Sequence, residues 1–286
     1  MFKVCKQQLI LVLSSPKIYI ALIIGCIMHL ISAMPLLEFS YELGKTLSIY
    51  ESFIYFNCDT YTASAAFIGI LLLVSDIPFS TEVETYTLLR ISKRKWCMGK
   101  VLYLLSICTI YYLIVSIAGM LYISANAYMG NIWSESLLTM VKYPNAEIVL
   151  NSNVYFPYNH ILLGFNPLRA FVSSLVLSIA YSFTVSLFIF LFNLKFSHKL
   201  SYVIAMMVHI LGYIIAALLT SYFYMRFSLL GNSLLMYHSI GDYYNHLYFT
   251  VPESLLVFGI LALVLIFFIV REIRKYNFNI TVGAKS

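Results

Sequence analysis

VSDIPFSTEVETYTLLRISKRKWCMGK, residues 74–100, separates two long apolar runs and holds eight of the chain's 30 charged residues in 27 positions. Asp76 and Pro78 leave the first run, Glu82 and Glu84 follow as an acidic pair, and Arg90, Lys93, Arg94, Lys95 and Lys100 form a basic cluster. Pro78 suits the first turn of a new helix, and Asp76 is placed to cap it. Glu82 and Glu84 near the start of that helix and Arg90 toward its end agree with the macrodipole. A charged segment between apolar runs is a water-exposed loop between membrane spans, and the rest of the chain follows from that.

Hydrophobic residues make up 61% of the 286 positions and charged residues 10%, with a mean hydropathy of +0.87. A soluble domain carries about 25% charged residues. Apolar runs of about 20 residues recur, each sufficient for a bilayer core of about 30 Å. With no water in that core, a helix satisfies every backbone polar group within the segment.

Residues 1–16 are predicted to form an interfacial helix. Over residues 2–15, Phe2, Cys5, Leu9, Val12 and Leu13 share one stripe, opposite Lys3, Lys6 and Gln7. Six transmembrane helices are expected after it. They lie at about Ile18–Leu36 (ended by Pro35 and Glu38), Phe56–Ser75, Val101–Ser124, Ala170–Phe192, Ser201–Tyr224 and Val251–Val270. The second contains Ala63, Ser64, Ala65, Ala66 and Gly69, small residues that permit close helix contact. Residues 125–167 are rich in Asn, Tyr and Pro, with a short helix expected at Ser134–Val141. Residues 225–250 carry Phe227, Leu229, Leu230, Leu234, Leu235 and Met236, too apolar for a free aqueous loop, and are expected to dip into the outer leaflet as short helices. The fold class is therefore an all-α integral membrane protein in a single domain, residues 1–286.

Orientation follows from the basic residues. With residues 1–17, 76–100, 195–199 and 271–286 inside, the inner segments hold 14 basic and 4 acidic residues, a net +10. The outer segments, 125–167 and 225–250 among them, hold 4 basic and 8 acidic residues, a net −4. That is a positive-inside bias with both termini cytoplasmic. Positive charge spread over four membrane-flanking segments without a recognition motif speaks against nucleic acid as a partner; membrane lipid is the partner it implies, and a basic cluster holding anionic lipid is one reading of residues 90–100.

The N-terminal MFKVCKQQLILVLSSPK lacks a small-residue cleavage site and is expected to be retained. Cys26 and Cys108 fall in apolar runs, Cys5 and Cys97 on the inner side and Cys58 near the outer surface, so no disulfide framework is expected.

Catalytic signatures are missing. Gly44-Lys45-Thr46 echoes a phosphate-binding loop, but Phe39 stands where that motif needs its first glycine. There is no HExxH, no G-x-S-x-G and no carboxylate pair within a span, so no enzyme is expected. His238, Asp242 and His246 recur at helical spacing as a weak metal candidate, with solvated or interface residues the plainer reading. His29 and His209 lie within spans, where a neutral imidazole bonded to a neighbouring helix is expected. Asp59, a bilayer thickness back from Ser75, would sit at the outer headgroup boundary, where an acid is costly unless it faces water or a partner. It is the candidate for the mouth of a translocation path.

Asp76, Ile77, Pro78 and Phe79, then Glu84, Tyr86, Arg90, Ser92, Lys93, Arg94, Trp96, Gly99 and Lys100, resemble the first cytoplasmic loop of ABC-2-type permeases of bacterial exporters. The resemblance in topology extends over the chain, with an interfacial helix, six spans and both termini inside. It implies the transmembrane subunit of an exporter in the bacterial plasma membrane, whose loop 76–100 carries a coupling helix. Asp76, Pro78, Phe79, Glu82, Glu84, Arg90, Lys93, Arg94 and Trp96 would meet a separate ATP-binding subunit, which binds the ATP, so that this chain needs no cofactor. It further implies a second permease chain, identical or paralogous. The competing expectation is a non-transporting membrane sensor or immunity protein that binds a ligand or partner.

Overall fold

The computed structural model describes residues 1–75, 77, 91–152, 154–156, 158–218, 225–239 and 249–275. Helix α1 (Phe2–Leu13) is followed by α2 (Pro16–Glu42), which starts with Pro16 at its first position and the Ser15 hydroxyl accepting from Lys17 N at 3.3 Å. Pro35 does not end this helix, as the sequence led us to expect, but lies inside it. Proline removes one N–H and leaves one carbonyl free. The bundle holds both sides of the gap, since Ala33 and Leu36 are fully buried. The stop comes at Gly44, whose φ of 61° is the left-handed conformation glycine adopts without strain. Gly44 N donates to Tyr41 O and Lys45 N to Ser40 O, both at 3.0 Å, a Schellman motif. Gly44-Lys45-Thr46 is thus a helix terminus.

The second expected span is broken. Helix α3 (Glu51–Cys58) and α4 (Thr60–Val74) meet at Asp59 with a bend of 93°. Asp59 has an extended backbone, and its carboxylate caps α4, so the polar residue that a continuous helix would have carried in its wall becomes the start of a new helix. The 15 residues of α4 rise only about 22 Å. Helix α5 (Lys93–Ile123) begins eight residues earlier than its apolar run, after an extended Ser92. Short helices α6 (Glu135–Lys142), α7 (Glu147–Asn151) and α8 (Asn159–Gly164) follow; α6 is the short helix expected at Ser134–Val141. Long helices α9 (Pro167–Asn193), α10 (His198–Leu218) and α11 (Val251–Lys275) complete the described chain. A two-residue parallel pairing, β1 (Leu47–Ser48) with β2 (Ala127–Tyr128), ties the end of α2 to the end of α5. Five helices, α2, α5, α9, α10 and α11, are long and apolar enough to cross a membrane, and six if α3 and α4 form one bent span. The chain is a helical multi-pass membrane protein.

Helices α5 and α9 form the centre. Helix α2 packs on α4 and α5, α11 on α9 and α5, and α10 on α9 and α4. Ser174, Ser178, Ser182 and Ser186 repeat every four residues on α9 and are all buried, which lets neighbouring helices approach closely. On the outside of the bundle, Ile20, Ile23, Ile27 and Ile31 of α2 and Leu256, Ile260, Leu263 and Phe267 of α11 are exposed at i, i+3/i+4 spacing. Stripes this apolar are solvated by lipid.

Helix α1 also departs from expectation. Its buried stripe is Val4, Cys5, Gln8 and Val12, packed on α5, while Phe2 and Leu13 face away. The cause is a competing surface: α5 offers a glycine, Gly99, where a Cβ would stand 2.7 Å from Val4 Cβ and 2.9 Å from Met1 O. That crossing turns Val4 inward and leaves Phe2, Ile10, Leu11 and Leu13 for lipid.

Candidate functional site

The α3–α4 elbow holds a cleft of about 420 Å³. Tyr55, Cys58, Asp59, Thr60 and Tyr61 come from the elbow, Tyr155, Phe156 and Tyr158 from the chain before α8, and Tyr213 from α10. The carboxylate of Asp59 accepts from Tyr61 N at 3.1 Å, Thr62 N at 3.2 Å and Thr62 Oγ1 at 2.6 Å. Tyr55 stacks on Phe156 with centroids 6.1 Å apart, and Phe156 meets Tyr158 edge-on at 5.2 Å. Burial pushes the Tyr55 and Tyr158 phenols above the ordinary tyrosine range, so both stay neutral. Asp59 was singled out in the sequence; the tyrosines were not, because residues a hundred positions apart meet only through the fold. Asparagine caps a helix as well as aspartate does. Here both carboxylate oxygens accept, so Asp59→Asn, with one, is expected to melt between wild type and Asp59→Ala, which should lose about 1 kcal/mol, both read from thermal denaturation in detergent.

Beneath the cleft, a polar lattice holds this end of the bundle together. Asn57 Nδ2 donates to Ser178 Oγ at 3.0 Å and Ser233 O at 3.2 Å, and its Oδ1 accepts from Leu235 N at 2.8 Å. Two 3₁₀ turns, Gly231–Ser233 and Leu235–Tyr237, are pinned in this way, with Leu230, Leu234, Leu235 and Met236 buried. Leu230, Leu234, Leu235 and Met236 thus pack on the bundle in short turns, while Phe227 is exposed. His238 is buried, with Nδ1 2.9 Å from Leu234 O and Nε2 2.9 Å from Ser254 Oγ. Burial lowers His238 and His160 to about 4. Asp242 and His246 lie outside the described residues, and among the described residues no cluster of three metal-type ligands occurs.

Glu51, at the start of α3, is fully buried and accepts three hydrogen bonds: Ser48 N at 3.0 Å, Ser134 N at 2.7 Å and Ser134 Oγ at 2.7 Å. Burial pushes its carboxyl up to about 7, against the downward pull of those bonds. Ser134 also caps α6 by accepting from Leu137 N at 3.1 Å. One carboxylate therefore joins β1, α3 and α6.

At the opposite, basic end, Asp76, Pro78, Phe79, Glu82, Glu84 and Arg90 lie outside the described residues. Lys93 is half-buried and Arg94 exposed at the start of α5. Trp96 is 1% exposed and Lys100 0%, with the Lys100 ammonium 5.2 Å from the Trp96 ring centroid. Trp96 thus lies inside the bundle rather than on a face that a second protein would touch. Positions 96, 99 and 100 share one side of α5, where α1 crosses it. At the other edge of the loop, Asn193 Nδ2 of α9 donates to Ile77 O, and to Ser75 O at 3.4 Å.

In the middle of the bundle, His209 of α10 bonds two helices: Nδ1 lies 2.7 Å from Tyr181 OH and Nε2 2.8 Å from Ser64 Oγ. His29 Nδ1 lies 2.8 Å from Val115 O. Both imidazoles bridge neighbouring helices, as expected. No family model, no curated protein and no solved structure matches the chain.

Proposed function

We propose that this chain is the transmembrane subunit of an ATP-driven exporter of the ABC-2 permease type, in the bacterial plasma membrane with both termini cytoplasmic. ATP binds to and is hydrolysed on a separate subunit, and a second permease chain completes the path. The observation that carries the reading is how the 76–92 segment is fixed at both edges. Asn193 holds its start to α9, and Trp96, Gly99 and Lys100 lock its end into the crossing of α1 on α5. A push on such a loop is passed to α4, α5, α9 and α1 together, which is what a coupling loop requires. The resemblance of residues 76–100 to that loop adds to it, with Arg94 exposed at the start of α5.

The chain purified in mild detergent from its native membrane is expected to bring down a soluble ATP-binding protein; recovery of the permease with no nucleotide-binding protein overturns the reading. A non-transporting sensor or immunity protein is the second reading, favoured by the cleft being confined to one end, and it requires no such partner. Orientation is tested by cysteine labelling. The five native cysteines are buried or half-buried, so the background is low. Asn145→Cys should react with an impermeant maleimide in intact cells and Lys95→Cys only after lysis; the reverse pattern inverts the topology.

A further inference from the structure

We propose that the cleft at the α3–α4 elbow binds a small alkylammonium cation. Asp59 is the one acid among the described residues lining it, and none of them is Lys, Arg or His. Five of the nine are tyrosines: Tyr55, Tyr61, Tyr155, Tyr158 and Tyr213. An aromatic ring presents a negative face, which repels anions and attracts a cation within about 6 Å of its centroid. The backbone and Thr62 place three hydrogen bonds on the two oxygens of the Asp59 carboxylate and fix its position. A carboxylate offers about four acceptor sites, so it still has capacity for a ligand N–H or a polarised N–CH₃. A hard metal ion needs about six oxygen ligands, which one carboxylate and neutral phenols do not supply. A neutral guest would leave the charge unused. The volume of about 420 Å³ lies in the ordinary range for small-ligand sites.

This assignment stands whether or not the chain belongs to an exporter. The same chemistry is offered by a soluble amine or quaternary ammonium compound and by the headgroup of an ethanolamine or choline lipid. Single tyrosines at a membrane surface are ordinary interfacial residues. Five lining one cleft together with a carboxylate, with Tyr55, Phe156 and Tyr158 in ring contact, make a concave aromatic site instead.

The test measures binding of radiolabelled choline to the full chain in nanodiscs of phosphatidylglycerol only, which carry no competing amine. Saturable binding with a dissociation constant of about 1 mM or tighter is expected. Asp59→Asn keeps one capping oxygen and removes the charge, and should weaken binding about tenfold. Tyr155 is 74% exposed, so Tyr155→Leu leaves the core intact; it should weaken binding about 2- to 30-fold, while Tyr155→Phe binds as wild type. The neutral isostere 3,3-dimethylbutanol should not compete. Addition of phosphatidylethanolamine to the discs tells the source: competition with choline makes the guest a lipid headgroup, and no competition makes it a soluble cation, and either outcome supports the aromatic site. The proposal is overturned by absence of saturable choline binding to wild-type protein, by unchanged affinity in a folded Asp59→Asn variant, or by equal competition from the neutral isostere.

Discussion

Replacement of Glu51 by alanine is expected to lower the melting temperature of the detergent-purified protein by about 6–12 °C. Truncation leaves three buried donors, the N–H groups of Ser48 and Ser134 and the Ser134 hydroxyl, without their acceptor. Each unmet buried group costs about 1–3 kcal/mol; relaxation and water entry leave a net loss of about 3 kcal/mol. Glu51→Gln keeps one acceptor oxygen but turns an NH₂ group toward donors, so it should melt between wild type and the alanine variant. The pH dependence has a definite sign. Burial raises the folded carboxyl to about 7 from its ordinary 4.5, so the folded chain holds the proton more tightly than the unfolded one. Its contribution is fully present below about 4.5 and declines as pH rises through about 7. The melting temperature of wild type relative to Glu51→Gln should therefore fall between pH 5 and pH 8. A gap that widens with pH, or a Glu51→Ala variant melting within about 2 °C of wild type, would remove Glu51 as the tie between β1, α3 and α6.

The membrane-spanning elements were legible because lipid imposes a length and an apolar composition that the sequence states directly. Helices α2, α5, α9, α10 and α11 were all expected, and they differ from expectation mainly at their ends. Ends are decided by local backbone conformation rather than hydropathy: α5 begins after an extended Ser92, before its apolar run, and Gly44 rather than Pro35 stops α2. The break at Asp59 was half legible. The residue was recognised as too costly for a span, yet it caps a helix and turns the chain by 93°. Glu51, Asn57 and the cleft tyrosines were not legible, because their partners lie about 80 to 180 positions away. The four-residue spacing of Ser174, Ser178, Ser182 and Ser186 was a signal present in the sequence for the most closely packed helix. The burial of Trp96 was not legible either, since a residue beside a basic cluster reads as exposed until the packing of this end of α5 is seen.

Gly25→Ala and Gly69→Ala are expected to respond differently to a second change, Tyr111→Leu. Tyr111 of α5 is 1% exposed and reaches between α2 and α4, donating to Ala66 O at 2.6 Å. Its phenol occupies the space that a Cβ would take on both glycines. At Gly25 every obstacle is a side chain: the Tyr111 hydroxyl, Tyr111 Cζ at 2.7 Å and Val115 Cγ2 at 2.7 Å. At Gly69 the hydroxyl lies 2.5 Å away, but the carbonyl oxygen of Ala21 stands at 2.7 Å and belongs to the backbone of α2. Each single alanine overpacks the interface and should cost about 1–3 kcal/mol. Removal of the phenol clears most of the obstruction at Gly25, whereas at Gly69 the backbone of α2 remains. Double-mutant cycles on thermal denaturation should therefore give a rescuing coupling about 1 kcal/mol larger for the Gly25–Tyr111 pair than for the Gly69–Tyr111 pair. Equal couplings would mean that α2 and α4 separate freely and that only the tyrosine sets their distance. With the larger Gly25 coupling, α2, α4 and α5 move as one body around Tyr111, so a displacement of the segment joining α4 to α5 carries α2 with it.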